Sequence, residues 1–292
     1  MHTSQETFSS GSTHCAATVY RGGSAPGLTP VVVMGNGITL TRRDGIPAYA
    51  ERFTAAGFTV MAFDYRHWGD SGGEPRGWVS ISRQRQDWRA AVAFARALPG
   101  VDPDRVALWG MSLGGGLALA TAAADTRIAA VITLVPVTDG LAAWLQPAPP
   151  AHVARLLGRA VKEAMTRRPA TMPIAGAPGE FAVLAAPEAV PGFTSVTAGR
   201  QWRNEVTTSF VFPMGVFRPV RMAPRIQAPV LYQIGDHDSM APAADIEKAA
   251  HRTPKAEVRH YEMDHFGCFT PQHLPAVADD ECTFLRAHLL PG

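Results

Sequence analysis

The feature that most constrains this chain is an alternation. Short apolar, β-branched runs at residues 30–34, 59–64, 106–109, 129–134, 230–234 and 258–261 are separated by longer Ala-rich stretches of helical character. Strands buried on both faces read as short continuous apolar runs, and parallel strands need a crossover between them, usually a helix. The segments 47–56, 82–98, 113–124 and 243–250 are predicted as those helices, and 274–289 as the last. The expected fold class is therefore α/β, a mostly parallel twisted sheet with helices on both faces. Residues 7–10 and 14–20, joined at Gly11, are expected to add two antiparallel edge strands at its start.

The alternation fails once. Between residues 139 and 228 the chain turns Pro- and Ala-rich, with helical character around 151–167. The division expected is a core of residues 1–138 and 229–292 carrying a lid insertion at 139–228. The insertion holds Trp144, Phe181, Phe193, Trp202, Phe210, Phe212 and Phe217, side chains that would pack it onto the core and could line an apolar substrate pocket. Arg155, Arg159, Lys162, Arg167 and Arg168 form the densest basic run and are expected as a solvated helix face.

Composition removes several classes of function. With 46 % apolar and 18 % charged residues, the 292-residue chain has the make-up of a globular enzyme. A net charge of +2 from scattered Lys and Arg gives no track for nucleic acid. No apolar run approaches membrane-spanning length, and residues 1–12 lack the basic-then-apolar build of a signal peptide. Cys15, Cys268 and Cys282 have neither disulfide-framework nor zinc spacing, which fits a reducing, cytoplasmic setting with no metal and no cofactor. The expected partner is a small-molecule ester or thioester, and a homodimer is the one assembly allowed for.

Chemistry enters at Gly110-Met111-Ser112-Leu113-Gly114, which follows the apolar run 106–109 and opens a helical segment. A nucleophilic serine must stand on a tight turn where flanking side chains would collide, so glycines two residues to either side meet a steric need. A serine hydroxyl also needs a general base, and imidazole has the suitable pKa. Of ten histidines, His265 lies just past the last expected strand, at the same sheet edge as Ser112. The third member orients the imidazole, and both Asp236 and Asp238 follow the run 230–234. Asp238 is preferred because it reaches further toward the histidine loop, which leaves Asp236 to bond turn N–H groups. Asp139 is a weaker alternative, expected instead to cap a helix, and Asp264 is expected as a solvated or turn-bonded carboxylate. The oxyanion hole is assigned to the backbone N–H groups of Ile38, after Asn36-Gly37, and of Leu113.

With these residues in place the chain resembles the α/β-hydrolase superfamily, in particular bacterial dienelactone hydrolase-like and small acyl esterase-type serine hydrolases. The resemblance runs from residue 30 to 289 outside the insertion. It rests also on Phe63-Asp64-Tyr65-Arg66, Gly69-Asp70-Ser71-Gly72-Gly73, Asp102-Pro103 and the segment 235–242. It implies the α/β-hydrolase fold with a helical lid, and it implies scaffold roles for Asp64, Arg66 and Ser71. Such enzymes usually carry His-Gly where this chain has Asn36-Gly37. The expected activity is hydrolysis of an ester or thioester with an apolar acyl group. The alternatives are acyl transfer or elimination with the same triad, as in polyketide-type pathways, and a non-catalytic ligand-binding homologue.

Overall fold

A computed structural model describes residues 1–23, 27–145, 150–166, 170–198, 200 and 202–290. Eight strands form one sheet: β1 (His2–Ser10), β2 (Thr13–Arg21), β3 (Thr29–Gly35), β4 (Thr59–Phe63), β5 (Val101–Met111), β6 (Ala130–Leu134), β7 (Val230–Gly235) and β8 (Ala256–Tyr261). Their spatial order is β1-β2-β4-β3-β5-β6-β7-β8. From β4 to β8 every neighbouring pair is parallel, and β1 and β2 join antiparallel. All six runs read from the sequence as core strands are in the sheet. The two N-terminal strands differ from expectation, because only β1 is an edge: β2 pairs with β4 on its other side. Their burial explains this. β1 alternates between exposed and buried positions, whereas six consecutive residues of β2 are buried, as an interior strand requires.

The crossovers are α1 (Ile46–Ala55), α2 (Ile81–Arg96), α3 (Leu113–Ala122) and α8 (Ala243–Arg252), and α9 (Leu274–Leu289) follows the last strand. Successive side chains of a strand point to opposite faces, and β3 divides its own accordingly. Val31 and Val33 join the apolar layer that includes Trp88 of α2 and Leu117 of α3, while Val32 and Met34 join the layer of Tyr49 of α1 and Leu285 of α9. Two helical layers thus sandwich the sheet, which is the α/β-hydrolase arrangement.

Between β6 and β7 the chain leaves the sheet and builds α4 (Gly140–Leu145), α5 (Pro150–Thr166), α6 (Ala189–Val196) and α7 (Val211–Val216) with short two-stranded pairings. Phe193, Phe210 and Phe217 are buried here, whereas Phe212 is exposed. The side chain of Trp144 lies outside the described residues, as do Arg167 and Arg168 of the basic run. Two members of that run are not simply solvated: the guanidinium carbons of Arg155 and Arg159 lie 4.2 and 5.1 Å from the centroid of the Phe181 ring. Among the described residues no helix is long and apolar enough to cross a membrane, and Cys15, Cys268 and Cys282 are buried and unpaired.

Candidate active site

Ser112 sits between the end of β5 and the start of α3 with φ 55° and ψ −121°. A side chain at such a φ is strained, and the surroundings hold it there. The Ser112 N–H donates to Leu134 O at 2.9 Å, and its carbonyl accepts from Val137 N at 2.9 Å. The two flanking glycines are sterically required. A Cβ on Gly110 would stand 2.3 Å from Gly114 O, and one on Gly114 would stand 2.3 Å from Gly35 O.

That close approach brings the loop after β3 against the first turn of α3. Among the described residues, the N–H groups of Ile38 and Leu113 donate to no acceptor. Asn36 braces the loop: its Oδ1 accepts from Gly37 N at 2.8 Å, and its Nδ2 donates to Thr41 O at 2.9 Å and Asp44 O at 2.7 Å. The amide therefore organises the turn in a chain that lacks the customary His. Gly37 keeps the approach to the serine clear, since a Cβ there would lie 3.2 Å from Ser112 Cβ.

On the loop after β8, His265 is buried and its Nδ1 donates to Asp238 Oδ2 at 2.6 Å. The other oxygen, Asp238 Oδ1, accepts from Met240 N and Ala241 N, each at 2.8 Å. The carboxylate is thus fixed by turn N–H groups while it faces the imidazole. Among the described residues Asp236 bonds no turn N–H group, contrary to expectation; it accepts from His260 Nδ1 at 2.6 Å across to β8. Asp139 accepts from Leu141 N and Ala142 N at the start of α4 and pairs with Arg218, and Asp264 accepts from Phe266 N and Gly267 N. Tyr49 of α1 anchors the histidine loop through Cys268 O at 2.7 Å. Burial pushes the Cys268 thiol well above its ordinary pKa, so it offers no thiolate nucleophile.

Among the described residues no hydrogen bond joins Ser112 Oγ to His265, so the orienting half of the arrangement is formed and the proton-transfer half is open. Such bonds are commonly long in unliganded enzymes and tighten with substrate. Asp64, Arg66 and Ser71 are buried in polar contacts of the scaffold: Asp64 pairs with Arg42, Arg66 Nε donates to Asp87 Oδ1 at 2.5 Å, and Ser71 Oγ donates to Asp64 O at 2.7 Å. No cluster of three or more metal-ligating side chains occurs among the described residues.

Near the site, Arg200, Thr39, His67, Trp68 and Arg76 carried no local sequence signal, whereas Trp202 was among the insertion aromatics expected to line a pocket. Arg200, in the segment between β6 and β7, forms an ion pair with the buried Asp44 of the loop after β3. A cleft of about 370 Å³, within the range of small-molecule sites, opens beside that loop and is lined by Thr39, His67, Trp68, Arg76 and Trp202 among others. Neither Ser112 nor His265 lines it. An aromatic wall connects the two: Trp202 stacks on Phe193 at 4.8 Å between ring centroids, Phe193 meets Phe266 at 5.0 Å, and Phe266 meets His265 at 5.4 Å.

A family model described as serine aminopeptidase, S33, matches residues 44–266. The quorum-quenching protein AidA of Acinetobacter baumannii (strain MDR-ZJ06) is 39 % identical over 284 residues, 96 % of this chain and 93 % of that protein. The thiohydrolase aneE of Aspergillus aculeatus is 38 % identical over 110 residues, 38 % of this chain and 35 % of that protein. Among solved structures, the α/β hydrolase GrgF of Penicillium sp. sh18 superposes with a TM-score of 0.85 at 20 % identity, covering 100 % of both chains. With the family model spanning five of the eight sheet strands and the loops that carry Ser112, Asp238 and His265, and a relative alike along nearly the whole length, this chain belongs to the serine aminopeptidase S33 family of α/β-hydrolases.

Proposed function

We propose that this protein is a serine hydrolase that cleaves a carboxylic ester or thioester through an acyl-enzyme intermediate. Ser112 Oγ attacks the carbonyl carbon, and His265 Nε2 takes the hydroxyl proton. Asp238, bonded to Nδ1, holds the imidazole in the right tautomer and stabilises its charge. The carbonyl oxygen, now negative, accepts from the N–H groups of Ile38 and Leu113. The C–O or C–S bond then breaks, and His265 returns its proton to the departing alcohol or thiol. Water, deprotonated by the same imidazole, attacks the acyl-enzyme and releases the acid.

The observation that carries this reading is the pair of undonated N–H groups, at Ile38 and Leu113, on the two loops that converge on Ser112. Two buried backbone donors without an acceptor are expensive to keep unless a ligand oxygen uses them. The thiohydrolase name of a partial relative supports thioesters as substrates beside oxygen esters, and the quorum-quenching name of the long relative is compatible with hydrolysis of a small acyl compound. Residues 139–228 act in this reading as a lid, with Phe193, Trp202 and Phe266 as the apolar wall for the acyl group. Ser112→Ala is expected to abolish both fluorophosphonate labelling and turnover of aryl esters and thioesters. Retention of either in the folded variant overturns the assignment. Product analysis with an added acceptor alcohol separates hydrolysis from acyl transfer.

A further inference from the structure

We propose that the cleft beside the oxyanion loop holds a neutral hydroxyl group of the substrate, with His67 Nε2 as its hydrogen-bond acceptor. The inference rests on the serine hydrolase reading and names the substrate class: an ester or thioester whose acyl chain carries a hydroxyl remote from the carbonyl.

His67, in the loop after β4, is fixed through its backbone and its ring. At φ 73° its N–H donates to Gly72 O at 2.9 Å, and its carbonyl accepts from Gly77 N at 3.1 Å. Its Nδ1 donates to Pro75 O at 3.0 Å, and the Trp78 ring meets the imidazole in a T-shaped contact at 5.0 Å between centroids. Gly73 closes the Nδ1–Cε1 edge, since a Cβ there would lie 2.9 Å from each of those atoms. Turning the ring to find another partner for Nε2 would give up the bond to Pro75.

The bond to Pro75 also decides what Nε2 can do. A carbonyl oxygen only accepts, so Nδ1 carries the proton, and Nε2 of the neutral ring is an acceptor. Burial, together with the charges of Arg83 and Arg66, holds the imidazole below its ordinary pKa, which keeps it neutral near pH 7. His67 lines the cleft and is only 3 % exposed, and among the described residues its Nε2 has no hydrogen-bond partner. A buried acceptor without a donor is costly in a protein, and a ligand donor in the cleft removes that cost.

The donor that fits is neutral. Four arginines and four carboxylates line the cleft, so with His67 uncharged its wall carries no net charge, and Asp44 and Asp70 are already paired with Arg200 and Arg43. An ammonium would lose solvation there with no unpaired carboxylate to offset it, and a carboxylate has no proton to give Nε2. A hydroxyl brings one donor to the one open acceptor, and its lone pairs can accept in turn. Thr39 Oγ1, on the same cleft wall, accepts from Trp202 Nε1 at 3.4 Å and donates to no acceptor among the described residues, so its own proton is available. The position of the cleft sets where the hydroxyl lies. Thr39 directly follows Ile38, and the wall of Trp202, Phe193 and Phe266 runs from the cleft to His265. An acyl chain laid along that wall ends in the cleft, away from the reacting carbonyl.

The test compares 4-nitrophenyl 8-hydroxyoctanoate, 10-hydroxydecanoate and 12-hydroxydodecanoate with the octanoate, decanoate and dodecanoate of the same chain lengths. In the wild-type protein kcat/KM is expected to favour the hydroxylated member of at least one pair by at least tenfold. His67→Asn tolerates the left-handed backbone and can keep an N–H toward Pro75 O, but it has no atom at the place of Nε2. His67→Phe keeps a ring and has no acceptor. The ratio for the preferred pair should fall below threefold in both variants. Calorimetric titration of Ser112→Ala with the two methyl esters of that pair reads binding without turnover, and it should show the same preference, lost when His67→Asn is added. Equal rates within every pair, or a hydroxyl preference that survives in folded His67→Asn or His67→Phe, overturns the proposal. Loss of the Ser112 assignment would show as turnover surviving in Ser112→Ala, which the titration does not depend on.

Discussion

Substituting alanine for Gly114 tests whether the approach of the loop after β3 to the first turn of α3 makes the oxyanion hole. The new Cβ would lie 2.3 Å from Gly35 O and 2.4 Å from Asn36 O, both backbone atoms. An ordinary carbon–oxygen contact is about 3.3 Å, so α3 or the loop must retreat by about 1 Å. Overpacking of this size costs about 1–3 kcal/mol of stability. A displacement of about 1 Å between reacting groups costs about 100-fold in rate. Gly116→Ala separates the two effects, because its Cβ would also meet a backbone oxygen, Val137 O at 2.3 Å, but on the side of α3 facing Phe217 and Pro219. Both variants should melt lower by similar amounts. Measured well below either melting temperature, the rate of fluorophosphonate labelling should fall about 100-fold in Gly114→Ala and less than about tenfold in Gly116→Ala. Equal losses of labelling in the two variants, or a Gly114→Ala protein labelled at the wild-type rate, would refute the idea that this contact sets the hole.

Asp238→Asn should reduce kcat by about 10⁴-fold with little change in KM, because the amide favours the wrong imidazole tautomer. Asp236→Asn, which loses only a contact to His260 at the surface, should leave kcat within about threefold of wild type; the reverse ranking in steady-state assays would exchange the two assignments. Glu281, fully buried with Oε1 accepting from Trp109 Nε1 at 2.9 Å, is pushed well above the ordinary glutamate pKa by loss of solvent. The folded protein therefore keeps a proton there that the unfolded chain releases above about pH 4.3, so this contribution to stability is complete below that pH and declines as pH rises toward the folded value. Gln has no such titration and retains an acceptor for Trp109. The melting temperature of Glu281→Gln relative to wild type should thus climb between pH 5 and pH 8, and a difference independent of pH would refute this reading of the site.

The sequence made the sheet legible because β3, β4, β6, β7 and the second half of β5 are buried on both faces and carry largely apolar runs, whereas the edge strand β8 is partly exposed along its length. The same criterion applied to residues 15–20, Cys-Ala-Ala-Thr-Val-Tyr, would have placed β2 inside the sheet rather than at its edge, since an edge strand with one wet face alternates as β1 does. Ser112 was legible for a local reason: the strand, the turn glycines and the helix that define its geometry are contiguous. The choice between Asp236 and Asp238 depended on reach, and it was the lateral pairing of β7 with β8 that put His260 beside Asp236. Arg200 and Asp44 stand 156 positions apart and meet only because the segment after β6 folds back over the loop after β3.

The segment between β6 and β7 touches the loops that bear Ile38, Asp238 and His265. Arg200 pairs with Asp44, whose other oxygen accepts from Thr41 N and Thr41 Oγ1, each at 2.7 Å, in the same turn that Asn36 braces next to Ile38. Glu188 Oε1 accepts from Ser239 N at 3.0 Å and Ser239 Oγ at 2.6 Å, one residue beyond Asp238. Gly192 lets α6 press on the residue after His265, since a Cβ there would lie 2.0 Å from the Phe266 ring. A cover that only shut out water would need apolar contact with the rim. These contacts are instead polar or sterically exact at three separate loops, so a shift of α6 or of Arg200 must alter the oxyanion loop, the acid loop and the histidine loop together. Substitutions in this segment should accordingly act on kcat as well as on KM, because the groups they move are the ones proposed to meet the transition state.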